Sequence, residues 1–382
     1  MKKLIYSALT IVLVISIFAI RSEADPGDLF IVVELDDETA CSVLKVNPAG
    51  RLSEFVTNDE ILAVTGENEA DCDNVGIACN LNGDIYFGED FDDESKVLRA
   101  ERFGDLSLFV PTSALIAATG DSSADLDKGM AFGPDGNLYA ADEQSDSILQ
   151  ITVPGAAVSV SVTEEQIESA TGETNADLEG GIDIDDAFNI YIADAASDSI
   201  VVCQPGGPCS VLTSEAQIIA ALGFDPNLDE QILLVGNYLY VAEDDNCACV
   251  FRIDINTGIP EFFISEAQIS SVTGATSDPE GGLAVDFAGR IYVGNSSNNQ
   301  PSILRTGPGA NVNLLSLFVS SDEILDLYGP DFNIVDFDAG MCIVQPKVSE
   351  IPTLSEWGLI TMALVLGVIG FAYARRRKLL GV

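Results

Sequence analysis

Two side-chain patterns in this chain could do chemistry, and both are acidic. A pair of acidic or amide residues separated by one position recurs as Asp71/Asp73, Asp125/Asp127, Asp177/Glu179, Asn227/Asp229, Asp278/Glu280 and Asp336/Asp338. Between these pairs falls a second recurrence: Glu89, Asp142, Asp194, Glu243 and Asn295. Carboxylates brought within a few ångströms repel by about 1–4 kcal/mol per pair at surface dielectric values. A hard cation such as Ca²⁺ relieves that repulsion, because it prefers carboxylate oxygens. The candidate metal ligands are therefore Asp125, Asp127, Asp142, Asp177, Glu179, Asp194, Asp229, Asp278, Glu280, Asp336 and Asp338. A second reading stands beside this one: the same acids could cap turns and backbone N–H groups, which would also explain their recurrence.

Other chemistries are excluded outright. The chain has no histidine, so a Ser-His-Asp triad, a Cys-His dyad and His-ligated zinc are impossible within it. Eight cysteines occur without a paired CxxC, which argues against a zinc ribbon and, in an exported chain, for disulfides. Cys203 and Cys209 flank Gln-Pro-Gly-Gly-Pro, a turn that brings them together. Cys72–Cys79 and Cys41–Cys342 are the further expected pairs. Cys247-Ala248-Cys249 reads as too tight for a mutual bridge.

The elements that must position the acids are repeated. Gly129–Leu149 reads as a strand, a Pro-Asp-Gly-Asn turn, a second strand, an acidic loop and the start of a third strand. The same grammar returns from Val75, Gly181, Gln231 and Gly282, spaced about 50 residues apart, which is a repeat architecture. Asp28–Glu34 matches the second strand of the unit, so the first copy lacks its innermost strand. Gly340–Val344 resembles that missing strand. The spacing predicts an all-β, six-bladed β-propeller with strand-swapped closure of its N- and C-termini. Inner strands then begin at Val75, Gly129, Gly181, Gln231, Gly282 and Gly340, and the acidic pairs just ahead of them ring one mouth of the channel.

Between each blade's last strand and the next inner strand lies a short helix. Thr57…Glu60, Thr163…Gln166, Ser214…Gln217, Ser265…Gln268 and Ser320…Glu323 fit capping boxes, each followed by a glycine stop. Thr112–Gly120 lacks the Glu/Gln but keeps the rest. Their Ile and Leu residues are expected to cover the sheets.

Charge is lopsided, with 61 acids against 17 bases and a formal net charge of −44. Seven of the bases lie in the terminal segments, leaving ten for residues 25–350 against 59 acids. Such a surface repels nucleic acid and anionic lipid. Acidity for solubility alone is the competing explanation. Residues 1–24 combine Lys2-Lys3, an apolar run and Ser22-Glu23-Ala24, the pattern of a secretory signal peptide. The body is expected over 25–346, a linker over 347–358, an apolar membrane-spanning helix over 359–374 and a basic cytoplasmic tail over 375–382.

Two resemblances follow from quoted residues. The pattern Gly-[Ile/Met/Leu]-Ala/Asp-x-Asp-x-x-Gly-x-[Ile/Leu]-Tyr-x-x-Asp, seen best in Gly129–Asp142 and Gly282–Asn295, resembles NHL-type propellers and, more loosely, the gluconolactonase class of six-bladed propellers. The second resemblance implies one divalent metal over the channel, with Glu280 as the first ligand to examine. Glu280-Gly281-Gly282 lacks the proline of that class's Glu-Gly-Pro start. In the tail, Ile351, Pro352, Thr353, Leu354, Trp357 and Gly358 of IPTLSEWG precede the apolar span and the basic cluster. All three parts together resemble the IPTL-CTERM sorting tail. That implies export, an inner-membrane-anchored precursor, processing by an exosortase-type enzyme, and delivery to the surface or exterior of a Gram-negative bacterium. The reading is a non-enzymatic binding or envelope module, taking a surface ligand or glycan and Ca²⁺, with no nucleic acid. The alternative is a metal-dependent lactonase or related hydrolase working at the acidic mouth.

Overall fold

Short apolar runs separated by tight turns make each repeat a four-stranded antiparallel sheet. In the third, the strands are Met130–Phe132, Leu138–Asp142, Ser147–Ile151 and Val158–Val162. The turn between its first two strands is closed by Gly133 N–H to Asn137 C=O at 2.9 Å and by the Asp135 carboxylate, which accepts from Asn137 N–H at 3.1 Å. Gly136 sits there at φ 77°, a conformation that glycine adopts without a Cβ clash. This computed structural model describes residues 23–35, 39–91, 94–297, 300–328, 335–337 and 339–346.

The same order of strands recurs in the other sheets. We number them as blades by their inner strands. Blade 2 starts with Ile77–Cys79, blade 3 with Met130–Phe132, blade 4 with Ile182–Ile184, blade 5 with Ile232–Val235 and blade 6 with Leu283–Val285. Blade 1 contributes Leu29–Leu35, Ala40–Val46 and Leu52–Val56. Its innermost place is filled from the other end of the chain. Met341–Ile343 pairs antiparallel with Leu29–Ile31, and Val335–Asp336 pairs with Glu34–Leu35. Gly27 N–H to Val344 C=O at 2.8 Å and Val344 N–H to Asp28 C=O at 3.1 Å extend that seam. The six inner strands touch one another in a closed cycle, each with its two neighbours, so the expected ring and its strand-swapped closure are both present. All six blades carry a bulge at the same place between third and fourth strands, from Val43/Leu44 to Ile303/Leu304. A bulge adds twist, which lets each outer strand bend around its neighbour.

The core is not central but lies between blades. Phe30, Val32 and Cys41 of blade 1 pack with Ile77, Ile85 and Phe87 of blade 2. Five further clusters repeat this contact around the ring, ending with Leu29, Ile31 and Met341 against Ala284 and Tyr292 of blade 6. Each helix packs against the outermost strand of the next blade. Each has eight residues, from Asn58–Thr65 to Ser321–Tyr328, and each buries one apolar side chain: Ile61, Leu115, Ile167, Ile218, Ile269 or Ile324. Capping boxes form at Thr57, Thr163, Ser214 and Ser265, and Ser320 and Glu323 make the same reciprocal bonds. Thr112–Thr119 starts at Pro111 with no side-chain cap.

Cysteine pairing corrects part of the expectation. Cys203–Cys209 forms as predicted, across adjacent strands in register. The other expected pairs do not form; Cys41 joins Cys72, and Cys79 joins Cys342. Cys72 and Cys79 are close in sequence, but an inner strand runs between them and carries Cys79 to the far end of the channel. There its neighbour around the ring is the strand holding Cys342. Cys247 and Cys249 also pair, contrary to expectation. Ala248 between them lies in the left-handed region at φ 43°, which folds the two Cα atoms to 5.1 Å.

The chain divides into two compact units, residues 1–345 and 346–382. At the front, Glu23 and Ala24 already pack on the body: Ala24 is fully buried and its N–H donates to Arg102 C=O at 2.8 Å. Among the described residues no helix is long and apolar enough to cross a membrane. The leader up to residue 22, the linker from Lys347, the sorting motif and the apolar span 359–374 lie outside the described residues.

Two outcomes follow for stability. Cys79–Cys342 closes a sequence separation of 263 residues, so the Cys79→Ser/Cys342→Ser protein should lose about 2–5 kcal/mol, read as a lower urea midpoint. Gly294 approaches blade 6's own entry loop so closely that a Cβ on it would lie 2.4 Å from Gly281 C=O. Gly294→Ala should lose about 1–3 kcal/mol by overpacking, checked by thermal unfolding.

Candidate functional site

The acidic pairs come to one mouth of the channel because each precedes an inner strand. A repeated backbone bond holds four of the pairs against the loop that leaves their own blade's second strand. Asp90 N–H donates to Asp71 C=O at 3.0 Å, Glu143 to Asp125 at 2.8 Å, Ala195 to Asp177 at 2.9 Å and Ser296 to Asp278 at 2.8 Å.

The second set of acids is used up in this scaffold. Asp142 accepts from Asp125 N–H, Asp194 from Asp177 N–H and Asn295 from Asp278 N–H, each at 2.9 Å. Glu243 accepts from Asn246 N–H at 2.8 Å and Cys247 N–H at 2.6 Å, and Glu89 pairs with Lys96 at 2.8 Å. All five side chains are fully buried. Asp142 and Asp194, expected as metal ligands, instead cap backbone inside their blades. For these residues the turn-capping reading is the one the geometry supports.

The first set does converge. Carboxylate oxygens of Asp125, Asp127 and Glu143 lie within 4.8 Å of one another, and so do those of Glu143, Asp177 and Glu179. Across the mouth, Asp229, Glu230 and Asp244 form a third such group, and Asp244, Asp278 and Glu280 a fourth. Glu143 therefore bridges blades 3 and 4, and Asp244 bridges blades 5 and 6. The Asp336 side chain and Asp338 lie outside the described residues.

Glu143, Glu230 and Asp244 were not anticipated from the sequence. A signal for two of them existed: acids come in adjacent twos at Glu89-Asp90, Asp142-Glu143 and Glu243-Asp244. The first of each two ends a strand and turns inward, and the second opens the loop toward the mouth.

Electrostatics at the mouth is dominated by crowding. Burial, then a hydrogen bond to Glu143 and the charge of Asp125, push the Asp127 carboxyl up to about 10. Burial and the charge of Asp125 push Asp90 up to about 8. Burial also raises Asp177, Glu179 and Asp244, with neighbouring acids adding to it. Lys128 reaches across the channel to a short ion pair with Glu230, both side chains buried. Asn74, Asp127, Lys128, Glu179 and Asp229 line a cavity of about 150 Å³. One residue beyond Glu230, the Gln231 carboxamide oxygen accepts from Leu283 N–H at 2.7 Å and Met341 N–H at 3.3 Å, tying blades 5, 6 and 1. The bore itself is a cavity of about 230 Å³ of mixed character, with Ile77, Met130, Ile182 and Leu283 in its wall beside Asp183 and Gln231.

This donor set is oxygen-only and suits a hard divalent cation of the calcium type. Asp177 Oδ1 is buried and accepts no hydrogen bond. The residues thus fit the cation that the carboxylate pattern implied.

Comparison with known proteins supports the two halves separately. The family model of the IPTL-CTERM motif matches residues 351–377. No curated protein matches the chain in sequence. Among solved structures, the chain is similar to one in a nidogen/laminin complex, at 12% identity and TM-score 0.53, over 84% of this chain and 100% of the other. It is similar to TolB from Acinetobacter baumannii, at 12% identity and TM-score 0.52, over 84% and 67%. A protein of unknown function from Bacteroides caccae aligns at 13% identity and TM-score 0.50, over 83% and 98%. At such identities the likeness concerns the fold alone. The chain is an all-β body of six four-stranded antiparallel sheets, followed by a C-terminal segment that matches the IPTL-CTERM motif.

Proposed function

We propose that this protein is an exported, surface-sorted binding module whose acidic channel mouth holds a divalent cation of the calcium type. One observation carries the reading: Glu143 lies within 4.8 Å of two acidic pairs from adjacent blades, Asp125 with Asp127 and Asp177 with Glu179, so that it is shared by two three-carboxylate groups. A bound cation would join blades 3 and 4 at the mouth and offset a repulsion that the fold otherwise carries. The tail supplies the address. Its IPTL-CTERM match supports recognition by an exosortase-type membrane enzyme, passage through an inner-membrane-anchored precursor, and release to the surface of a Gram-negative cell.

The lactonase alternative draws on a different group, since Glu280 stands with Asp278 and Asp244. Lactone turnover that depends on metal and disappears in Glu280→Gln would favour it. Cation binding without turnover favours the binding module.

Calcium titration by calorimetry, with thermal unfolding alongside, tests the main reading. Added Ca²⁺ should raise the melting temperature. Glu143→Gln should weaken binding at least about tenfold, a loss of about 1.4 kcal/mol. Asp142→Asn should lower stability and leave calcium affinity in place. Equal calcium affinity in wild type and Glu143→Gln would overturn the site.

The metal-free protein should also show an inverted pH profile. Asp90 and Asp127 keep their protons in the folded state up to about 8 and about 10, whereas in the unfolded chain they ionise near pH ~4. The folded state therefore binds more protons than the unfolded one across that window. Their contribution is fully present below about pH 4 and is lost as pH rises through about 8 and then 10. The melting temperature in chelator should fall from pH 5 to pH 9, and calcium at pH 9 should restore it. For sorting, mass spectrometry of surface-exposed protein should find a new C-terminus near the motif; an intact Arg375–Lys378 tail would count against processing.

A further inference from the structure

The repeat provides an internal control for one unusual feature, the disulfide between Cys247 and Cys249. Where the third strand of a blade begins, the register aligns Ser147 with Asp142 in blade 3, Ser199 with Asp194 in blade 4 and Cys249 with Glu243 in blade 5. The preceding residue has a positive φ in all three: Asp146 at 45°, Asp198 at 45° and Ala248 at 43°. Blades 3 and 4 thus read Ser-Asp-Ser and blade 5 reads Cys-Ala-Cys at the entry to the third strand, after a loop that is one residue longer in blade 5. In the serine blades the turn is held by hydrogen bonds. Ser145 and Ser197 donate to Asp142 and Asp194, and Ser147 and Ser199 donate to the carbonyls of Ser145 and Ser197 at 2.9 Å. The longer loop of blade 5 has hydrogen bonds of its own, from Asn246 N–H at 2.8 Å and Cys247 N–H at 2.6 Å to the Glu243 carboxylate, so its backbone is held by more than the disulfide.

Loop-closure entropy gives little reason for one either. Its sequence separation is 2, the shortest of the four disulfides, which span 31, 263, 6 and 2. The two cysteines also differ in exposure. Cys247 is half-buried, while Cys249 is 1% exposed. The loop is anchored from both sides, by Cys247 N–H on the Glu243 carboxylate and by Ser277 Oγ on Ala248 C=O at 2.5 Å. A part-exposed cysteine bonded to a buried one, in a loop that other hydrogen bonds also hold, is the arrangement of an exchangeable disulfide rather than a staple.

We propose that Cys247–Cys249 is a thiol–disulfide exchange site that accepts two electrons from a dithiol of neutral or cationic character. The thiolate of the dithiol attacks Cys247 Sγ. A mixed disulfide forms, the Sγ–Sγ bond breaks, and Cys249 leaves as a thiolate that takes up the proton lost by the attacking thiol. The second thiol of the substrate then attacks its own sulfur in the mixed disulfide and releases Cys247, which is protonated in turn. The products are one substrate disulfide and two cysteine thiols. Asp244, Asp245 and Asp278, beside the loop, set the charge preference by repelling anionic thiols.

The test uses the folded, oxidised protein and a limiting amount of dithiothreitol, followed by alkylation and peptide mass mapping. Two labels should appear first at Cys247 and Cys249, at least about tenfold ahead of any other pair, with one equivalent of oxidised dithiothreitol formed. Cys247→Ser/Cys249→Ser, which copies the flanking serines of blades 3 and 4, should abolish that phase and keep the wild-type melting temperature. Cationic cysteamine should outpace anionic glutathione at low salt by more than it does with a small free disulfide. Earlier labelling at Cys203 and Cys209, or a large fall in melting temperature in the double variant, would show a structural bond and overturn the proposal. Equal relative rates for the two monothiols would overturn its charge preference.

Discussion

The pairing of Met341–Ile343 with Leu29–Ile31 is the contact on which the molecule depends. Without it, blade 1 would keep three strands and an open inner edge, and the cycle of inner strands would break between blades 6 and 2. With it, every inner strand has two neighbours and every interblade cluster has both of its walls. The core is made of six such interfaces, so none is complete until the ring is. The Cys79–Cys342 bond lies at the same seam and joins its C-terminal strand to blade 2.

Closure also creates the electrostatic problem at the mouth. Six entries to inner strands converge on one opening, and the acidic pairs come with them. Much of the scarce positive charge is spent elsewhere. Lys96 sits between Glu67 and Glu89, Lys45 holds Asp28, and Arg99 holds Asp84, each inside or beside a blade. At the mouth, Lys128 is committed to Glu230. Burial then drives carboxyls such as Asp127 toward the protonated form at neutral pH. Proton uptake and cation binding are two answers to the same crowding, and they compete for the same oxygens.

Departures from the repeat carry more information than its matches. A residue found in every blade is explained by the blade. A residue found in one blade needs its own cause. Phe188 takes φ 69° at the turn position where Gly83, Gly136 and Gly289 stand in other blades, and its ring packs on Tyr139 at 5.8 Å. Cys247 and Cys249 stand where blades 3 and 4 have serines at the entry to the third strand, after a loop one residue longer. In the first case only the side chain is new; in the second the loop length differs as well.

Much of the architecture could be read from local pattern. Alternating apolar runs and Asp/Gly turns define the strands, capping residues mark five of the six helices, and the incomplete first copy at Asp28–Glu34 points to the strand at Gly340–Val344. Cys203–Cys209 belongs to the same class, because a hairpin alone brings it together. These features depend on neighbours along the chain, and neighbours are what a sequence displays. Partners for Cys41, Cys72, Cys79 and Cys342 were decided by which strands lie side by side around the ring. The division of labour among acids was decided the same way: Asp142 and Glu143 are adjacent and chemically alike, yet one turns into the blade and the other toward the channel. The direction of a side chain at a strand end, and what waits there to meet it, exist only once the blades have packed.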